Sequence, residues 1–366
     1  MADTTDTQGL AAAGAGEGTP APRPLVLRVL LHPVLKFLFK IGLALGLLTW
    51  MVQSGRLDPK ELVGRPKDWA WIALAGVLLL PSYLIASLRF KVLLDGLDMP
   101  CGYSRALTWT MIGSFFNVAM PSATGGDVVK VVYVAGAYPR EKRAVAVLSV
   151  LVDRVMGLFG LFFLAFMVSI VGGAALSSRA GVSEDVQAQM HDLVSLVRWF
   201  CLAAVLCFGL LASKRLEASA RRKRLVEALP MGAKLEKLYM GFAGLRTRPK
   251  LVLAVLLLSM FNHSFLIASY LVLAQGLHLP IDATASMIVL PMLFFSRTFG
   301  FAGGFGTGEV AAGAVAPLMG LTAGDSCLLM FGFNLVGFAV SLLGLPFYVL
   351  GGPALPKGEI RTTNQD

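Results

Sequence analysis

Six ionisable side chains sit inside otherwise apolar runs of this chain: Asp127, Lys130, Asp153, Arg154, Arg297 and Glu309. Three are acids and three are bases, so the set can be neutral as a whole. In hydrocarbon each group costs about 2.5–3.5 kcal/mol on insertion scales. Six unpaired groups would cost roughly 15–20 kcal/mol, more than a typical net folding stability. They must therefore pair, or face water or a ligand. Asp153 and Arg154 are adjacent, so on a helix they point about 100° apart and cannot satisfy each other. Each needs a partner from another element: Lys130 or Arg297 for Asp153, and Asp127 or Glu309 for Arg154.

Two chemistries suit this set. Arg154, Arg297 and Lys130 can clamp phosphate, because a guanidinium offers a planar fork to its oxygens. Asp127, Asp153 and Glu309 can hold an amine, another cation or a proton. Asp127 and Glu309 also follow glycines, Gly125-Gly126 in one case and Gly303-Gly304 with Gly306 in the other. Each carboxylate can therefore cap the free N–H groups of a restarting helix, and the bases can bridge to acids without any ligand. Carboxylates beside a phosphate are unfavourable, so the mixed cluster fits a headgroup carrying both charges better than a purely anionic one.

The elements that must position these residues are membrane helices. The 366 residues are 56% hydrophobic and only 15% charged, against about 45–50% and about 25% in soluble domains. Such a chain cannot hide its apolar excess in a water-soluble core, which excludes a soluble enzyme, a disordered chain and a disulfide scaffold. Apolar runs at 34–53, 69–88, 144–172, 193–212, 251–275 and 326–350 approach the roughly 20 residues needed to cross about 30 Å of hydrocarbon. Residues 106–138 and 285–320 are apolar too, but each is broken by a glycine-rich stretch and returns in an arm too short to cross. We read them as re-entrant helical hairpins, whose open backbone is tolerated only within protein or against a water-filled cavity. The expected fold is an all-α polytopic membrane protein of about six full spans plus two oppositely oriented hairpins.

Loop charges set the orientation. Residues 214–250 carry 11 Lys and Arg against 3 Glu, which places them in the cytoplasm and offers them to anionic headgroups. Arg89, Lys91 and Arg105 before the first hairpin, and Arg140, Lys142 and Arg143 after it, belong on the same side. So do the tails 1–33, expected to be disordered, and 351–366. The transmembrane domain then covers 34–350. Within it, 69–172 and 251–350 both read span, hairpin, span, in opposite orientations. Asp127 and Glu309 each lie 58 residues from the start of their unit. Inverted repeats with broken helices at matching positions mark the central site of a transporter.

The motifs Ser87-Leu88-Arg89-Phe90, Pro121 to Lys130, Asp153 to Leu158 and Gly303 to Glu309 occur in that order at family-like spacings. With them the chain resembles the flippase-like transmembrane family named after lysylphosphatidylglycerol synthase, over most of residues 35–350. The resemblance implies a bacterial or archaeal polytopic membrane protein, whose best understood relatives move aminoacylated phospholipid between leaflets. Lys130, Ala302 and Gly308 depart from that family's usual Arg, Pro and basic residue. The synthase members also carry a large soluble aminoacyl-transfer domain. Nothing soluble here exceeds the 214–250 loop, so aminoacyl-lipid synthesis is not expected.

The leading expectation is a lipid translocase of the bacterial cytoplasmic membrane with a central charged cavity, acting on membrane phospholipids and requiring no cofactor or metal. No Walker A pattern occurs, so primary transport is not expected. A carrier for a small anion or zwitterion, a scaffold for an envelope-lipid enzyme, and a membrane-embedded transferase are the rivals, and a homo-oligomer is compatible with the first three. Arg221-Arg222-Lys223-Arg224 reads as a headgroup contact rather than a nucleic-acid site. Asn117, Asn262, His263 and Asn334 read as interhelical hydrogen-bonders, Arg198 as a snorkelling side chain, and Cys101, Cys201, Cys207 and Cys327 as thiols outside any disulfide or zinc site.

Overall fold

The computed structural model describes residues 66–120, 125–177, 183–211, 248–299 and 306–351, together with Thr49, Gln53 and Gly64. The expected first span (34–53), the tails 1–33 and 352–366, nearly all of the 214–250 loop, and Gly303 and Gly304 lie outside the described residues. Every element among the described residues is helical.

Ten α-helices follow in chain order: α1 (Trp69–Gly96), α2 (Tyr103–Ala119), α3 (Gly125–Gly136), α4 (Arg143–Ser177), α5 (Glu184–Leu211), α6 (Pro249–Gly276), α7 (Ala283–Ser296), α8 (Thr307–Val315), α9 (Ala323–Ser341) and α10 (Gly344–Gly351). Four stretches, Trp69–Gly96, Arg140–Gly172, Pro249–Gly276 and Ala323–Leu350, are long and apolar enough to cross a membrane. A 28-residue helix such as α1 rises about 42 Å, ample for a core of about 30 Å. Residues 193–211 of the run expected at 193–212 belong to α5, also 28 residues long. By contrast α3, with 12 residues, and α8, with 9, rise only about 18 and about 14 Å.

The starts of α1, α2 and α4 at 69, 103 and 143 recur at 249, 283 and 323 in α6, α7 and α9, a constant offset of 180 residues. The helix stops repeat as well. Gly96-Leu97-Asp98-Met99-Pro100 and Gly276-Leu277-His278-Leu279-Pro280 end α1 and α6. Asp98 and His278 are the two non-glycine residues with positive φ among the described residues, at 57° and 52°. In each stop the left-handed residue donates its N–H three residues back, Asp98 to Asp95 and His278 to Gln275. The next residue donates five back, Met99 to Leu94 at 3.0 Å and Leu279 to Ala274 at 2.9 Å. These two bonds define a Schellman stop, and the proline after it prevents the helix from resuming.

α1 and α6 lie antiparallel along their whole length. The N–H of Asp68, before α1, donates to the carbonyl of Gly276 at 2.9 Å. At the other end Gly96 lies against Leu251. α4 packs on α6 while α9 packs on α1. One large core gathers Tyr270, Phe294 and Phe333 with residues of α4 and α5. A second surrounds Trp109 with Phe90, Tyr133 and Val134, joining α1, α2 and α3. Cys101, Cys201 and Cys327 are buried thiols outside any disulfide.

The run expected to end at residue 88 continues to Gly96, so Arg89, Lys91 and Asp95 are helical rather than loop residues. The physical reason is the stripe Phe90, Leu93 and Leu94, which is fully buried and draws the charged turn into the core. Arg198 on α5 is exposed, and its guanidinium donates to Ser169 Oγ at 3.3 Å and to the Ser169 carbonyl on α4.

The tightest approach is between α2 and α3, where a Cβ on Gly126 would sit 1.7 Å from the Gly113 carbonyl oxygen. Gly126→Ala should therefore force the pair apart and destabilise the protein by about 1–3 kcal/mol, lowering the melting temperature in detergent. Gly337→Ala, where a Cβ meets nothing within 4 Å, should leave it unchanged.

Candidate functional site

The first charged centre is assembled by α1, α3, α4 and α6. Asp153 Oδ1 accepts from Arg89 Nε at 2.9 Å, and its Oδ2 lies 3.5 Å from Lys130 Nζ. All three side chains are buried. Arg89 Nη1 also donates to Ser259 Oγ at 3.1 Å, and the Ser259 hydroxyl passes its own proton to the Val255 carbonyl at 2.8 Å. Lys130 Nζ stands 3.5 Å from the centre of the Phe90 ring, where the ring's negative face adds attraction. Two cations share one carboxylate, so this triad carries a net charge of +1. His263 donates through Nε2 to the Gly157 carbonyl at 2.9 Å, which makes its other ring nitrogen an acceptor.

One residue further along α4 the side chain points elsewhere. Arg154 Nε meets Asp127 Oδ2 at 2.6 Å, and this pair is half-exposed, at 44% and 24%. Asp127 is the third residue of α3, after buried Gly125 and Gly126. Asn117 at the end of α2 accepts from the Gly126 N–H at 2.9 Å, fixing how α3 starts.

The second centre lies at the α7–α8 break. Gly306 takes φ 91°, a left-handed backbone suited to glycine. Glu309, third residue of α8 and fully buried, folds back so that Oε2 accepts from the Gly306 N–H at 2.7 Å. Its Oε1 accepts from Asn334 Nδ2 on α9 at 2.8 Å. Thr307 Oγ1 donates to the Ser296 carbonyl at 2.9 Å and ties α8 back to the end of α7. Arg297 lies over the rings of Phe333 and Phe294, at 5.2 and 5.8 Å, with Glu309, Tyr83 and Tyr270 in electrostatic range.

Of the expected pairings, Asp153 takes Lys130 and Arg154 takes Asp127. Arg297 does not serve Asp153; it lies in the second centre instead. Arg89 supplies the missing base. A legible signal existed for it, because the helix-stop pattern falls at Gly96–Pro100, a full two turns beyond Arg89. Asn117, Asn334 and His263 bridge helices as expected.

At the turn from α1 into α2, a cavity of about 690 Å³ is lined by Lys91, Asp95, Cys101, Ser104 and Arg105. Burial pushes the Cys101 thiol up, and it pushes the nearby Tyr138 hydroxyl up to about 12. Both therefore stay protonated at neutral pH. Among the described residues no group of three or more His, Cys, Asp or Glu side chains gathers as a metal site would require.

Long apolar helices, helix breaks flanked by acids, and buried ion pairs define a multi-pass helical membrane protein. The chain belongs to the family described as lysylphosphatidylglycerol synthase TM region, whose family model matches residues 37–344. No curated protein and no solved structure matches it.

The two centres should respond differently to neutralisation. Asp153→Asn leaves Arg89 and Lys130 buried without a counter-charge and should cost about 3–5 kcal/mol, seen as loss of folded protein on size-exclusion chromatography. Glu309→Ala strands the Gly306 N–H and the Asn334 amide, at about 1–3 kcal/mol for each. Asn334→Ala alone should cost less, because the Gly306 cap survives. Thermal unfolding in detergent ranks the variants.

Proposed function

We propose that this protein is a lipid translocase: it moves a phospholipid or lipid-linked headgroup between leaflets and is not an enzyme. In this reading α2–α3 and α7–α8 are re-entrant hairpins facing opposite leaflets. The α1–α4 and α6–α9 runs are inverted repeats within the units 69–172 and 251–350. The full chain has six spans, with both termini and the basic loop in the cytoplasm of a bacterial inner membrane. The constant 180-residue offset, the antiparallel α1 and α6, and the acid at the third position of both α3 and α8 support the repeat. The family match supports a membrane-lipid role.

The observation that carries the reading is the half-exposed Arg154–Asp127 pair beside the glycine-started α3. This pair can exchange partners without leaving a charge unmatched. A headgroup phosphate takes the Arg154 fork while the headgroup amine takes Asp127. The net charge is the same before and after, so the site can accept and release a headgroup without stranding a bare ion in the membrane. The buried triad beneath supplies a fixed +1 that biases the site toward phosphate. Asp153, Arg89 and Lys130 act as positioning residues in this scheme, since their side chains are occupied with each other. Gly306 and Glu309 play the matching structural part in the second hairpin, with Arg297 as its phosphate-facing base.

Vesicles holding the purified protein and a phosphatidylethanolamine with a dithionite-reducible nitrobenzoxadiazole on its acyl chain, which leaves the headgroup amine free, test this. Dithionite should bleach inner-leaflet label through the wild-type protein. Arg154→Gln and Asp127→Asn should each slow the exchange roughly tenfold, the loss of one charge-assisted contact, with melting temperature maintained. If labelled lipid stays in its leaflet while a soluble zwitterion such as glycerophosphoethanolamine is taken up, the translocase reading fails in favour of a solute carrier.

A further inference from the structure

The Arg154–Asp127 pair sits at a depth and on a face that together are informative. Arg154 lies 11 residues into α4, about 16 Å from its start. That start carries Arg140, Lys142 and Arg143, charges that belong at a membrane edge. Asp127 lies nine residues before the end of α3, about 14 Å from the same edge. Half the thickness of a hydrocarbon core is about 15 Å, so a pair this far from the charged helix ends lies within hydrocarbon depth. Its neighbours on the surface are apolar and exposed: Val128 and Val132 on α3, and Val147, Leu151 and Val155 on α4. They recur at helical spacing, forming one flank with the ion pair set into it. The buried triad lies on the other side of α4, since Asp153 and Arg154 diverge.

Charged side chains at hydrocarbon depth almost always face a bundle interior. Exposed Val and Leu are ordinary where acyl chains cover them; an exposed Arg–Asp pair among them is not. Something that carries both charges and tolerates an apolar surround must visit it. We infer that the outer α3–α4 flank is a lateral groove in which a zwitterionic phospholipid headgroup rides past Arg154 and Asp127 while its acyl chains stay in the bilayer. The occupant follows from charge complementarity. Phosphate meets guanidinium, amine meets carboxylate, and the diacylglycerol lies along Val128, Val132, Leu151 and Val155. The inference rests on the translocase reading and narrows it: the route is open to lipid along its length rather than enclosed by the bundle.

The test places the full chain in vesicles with two photoreactive phosphatidylethanolamines, one with a diazirine in the headgroup and one with it at the acyl terminus. Labelled peptides are read by mass spectrometry. The headgroup probe should label α3 and α4 around Val128, Leu151 and Val155. Exposed residues at comparable depth on other helices, Leu84 on α1 and Leu257 on α6, should take label from the acyl probe only. Headgroup labelling of the flank should fall roughly tenfold in Arg154→Gln and return in part in Arg154→Lys, while acyl labelling persists in both. Headgroup label confined to helix ends, with leaflet exchange intact, overturns the lateral groove and leaves the translocase reading standing. A disulfide between two copies through Leu151→Cys, with no headgroup label, assigns the flank to self-association and overturns it too. Failure of leaflet exchange itself, with the flank unlabelled, overturns both readings.

Discussion

The Asp153 carboxylate holds this architecture together. It lies on α4, yet its two oxygens receive Arg89 from α1 and Lys130 from α3. Through Ser259 the same Arg89 reaches α6. Four helices are thus fixed about one buried anion. Desolvating ions costs several kcal/mol each, so the arrangement persists only because every charge has directed partners. The ring of Phe90 under Lys130 and the Ser259 hydroxyl under Arg89 supply the remainder. Arrangements of this kind are less important for net stability than for register, since a slip of any of the four helices would strand a charge.

The second centre meets an equivalent problem. Glu309 is buried as deeply as Asp153, and a backbone N–H and an asparagine amide hold its two oxygens, with Arg297 in electrostatic range. Its position, third in a short helix after a glycine, is the position of Asp127 in α3. The two acids nevertheless have different surroundings. Asp127 is partly exposed and paired with an arginine, whereas Glu309 is capped and enclosed. The matching position therefore carries one half-exposed ion pair and one enclosed cap.

The Schellman stops at Gly96 and Gly276 connect local sequence to this global plan. Each ends a 28-residue helix at the same step relative to the following shorter helix. The turn then leads into α2 or α7. The antiparallel contact of α1 and α6 fixes the two units against each other along their length, leaving α3, α4 and their counterparts on the flanks.

Much of this was determined by the sequence alone. The apolar content required a membrane protein, and the glycine breaks located the short helices. The adjacency of Asp153 and Arg154 required different partners for them, because a helix turns about 100° per residue. Glu309, placed after its glycines, announced its capping position. Tertiary structure decided the rest. Arg89 follows a long apolar run and reads locally as an interfacial charge; only the packing of α1 on α4 and α6 makes it a buried partner. Arg297 and Lys130 are equally plausible mates for Asp153 in one dimension, and the choice depends on which helix lies within about 4 Å. Burial works the same way: Asp127 and Glu309 share a motif but differ in exposure, because exposure depends on the neighbours that a fold brings and not on the residues that a chain places beside them.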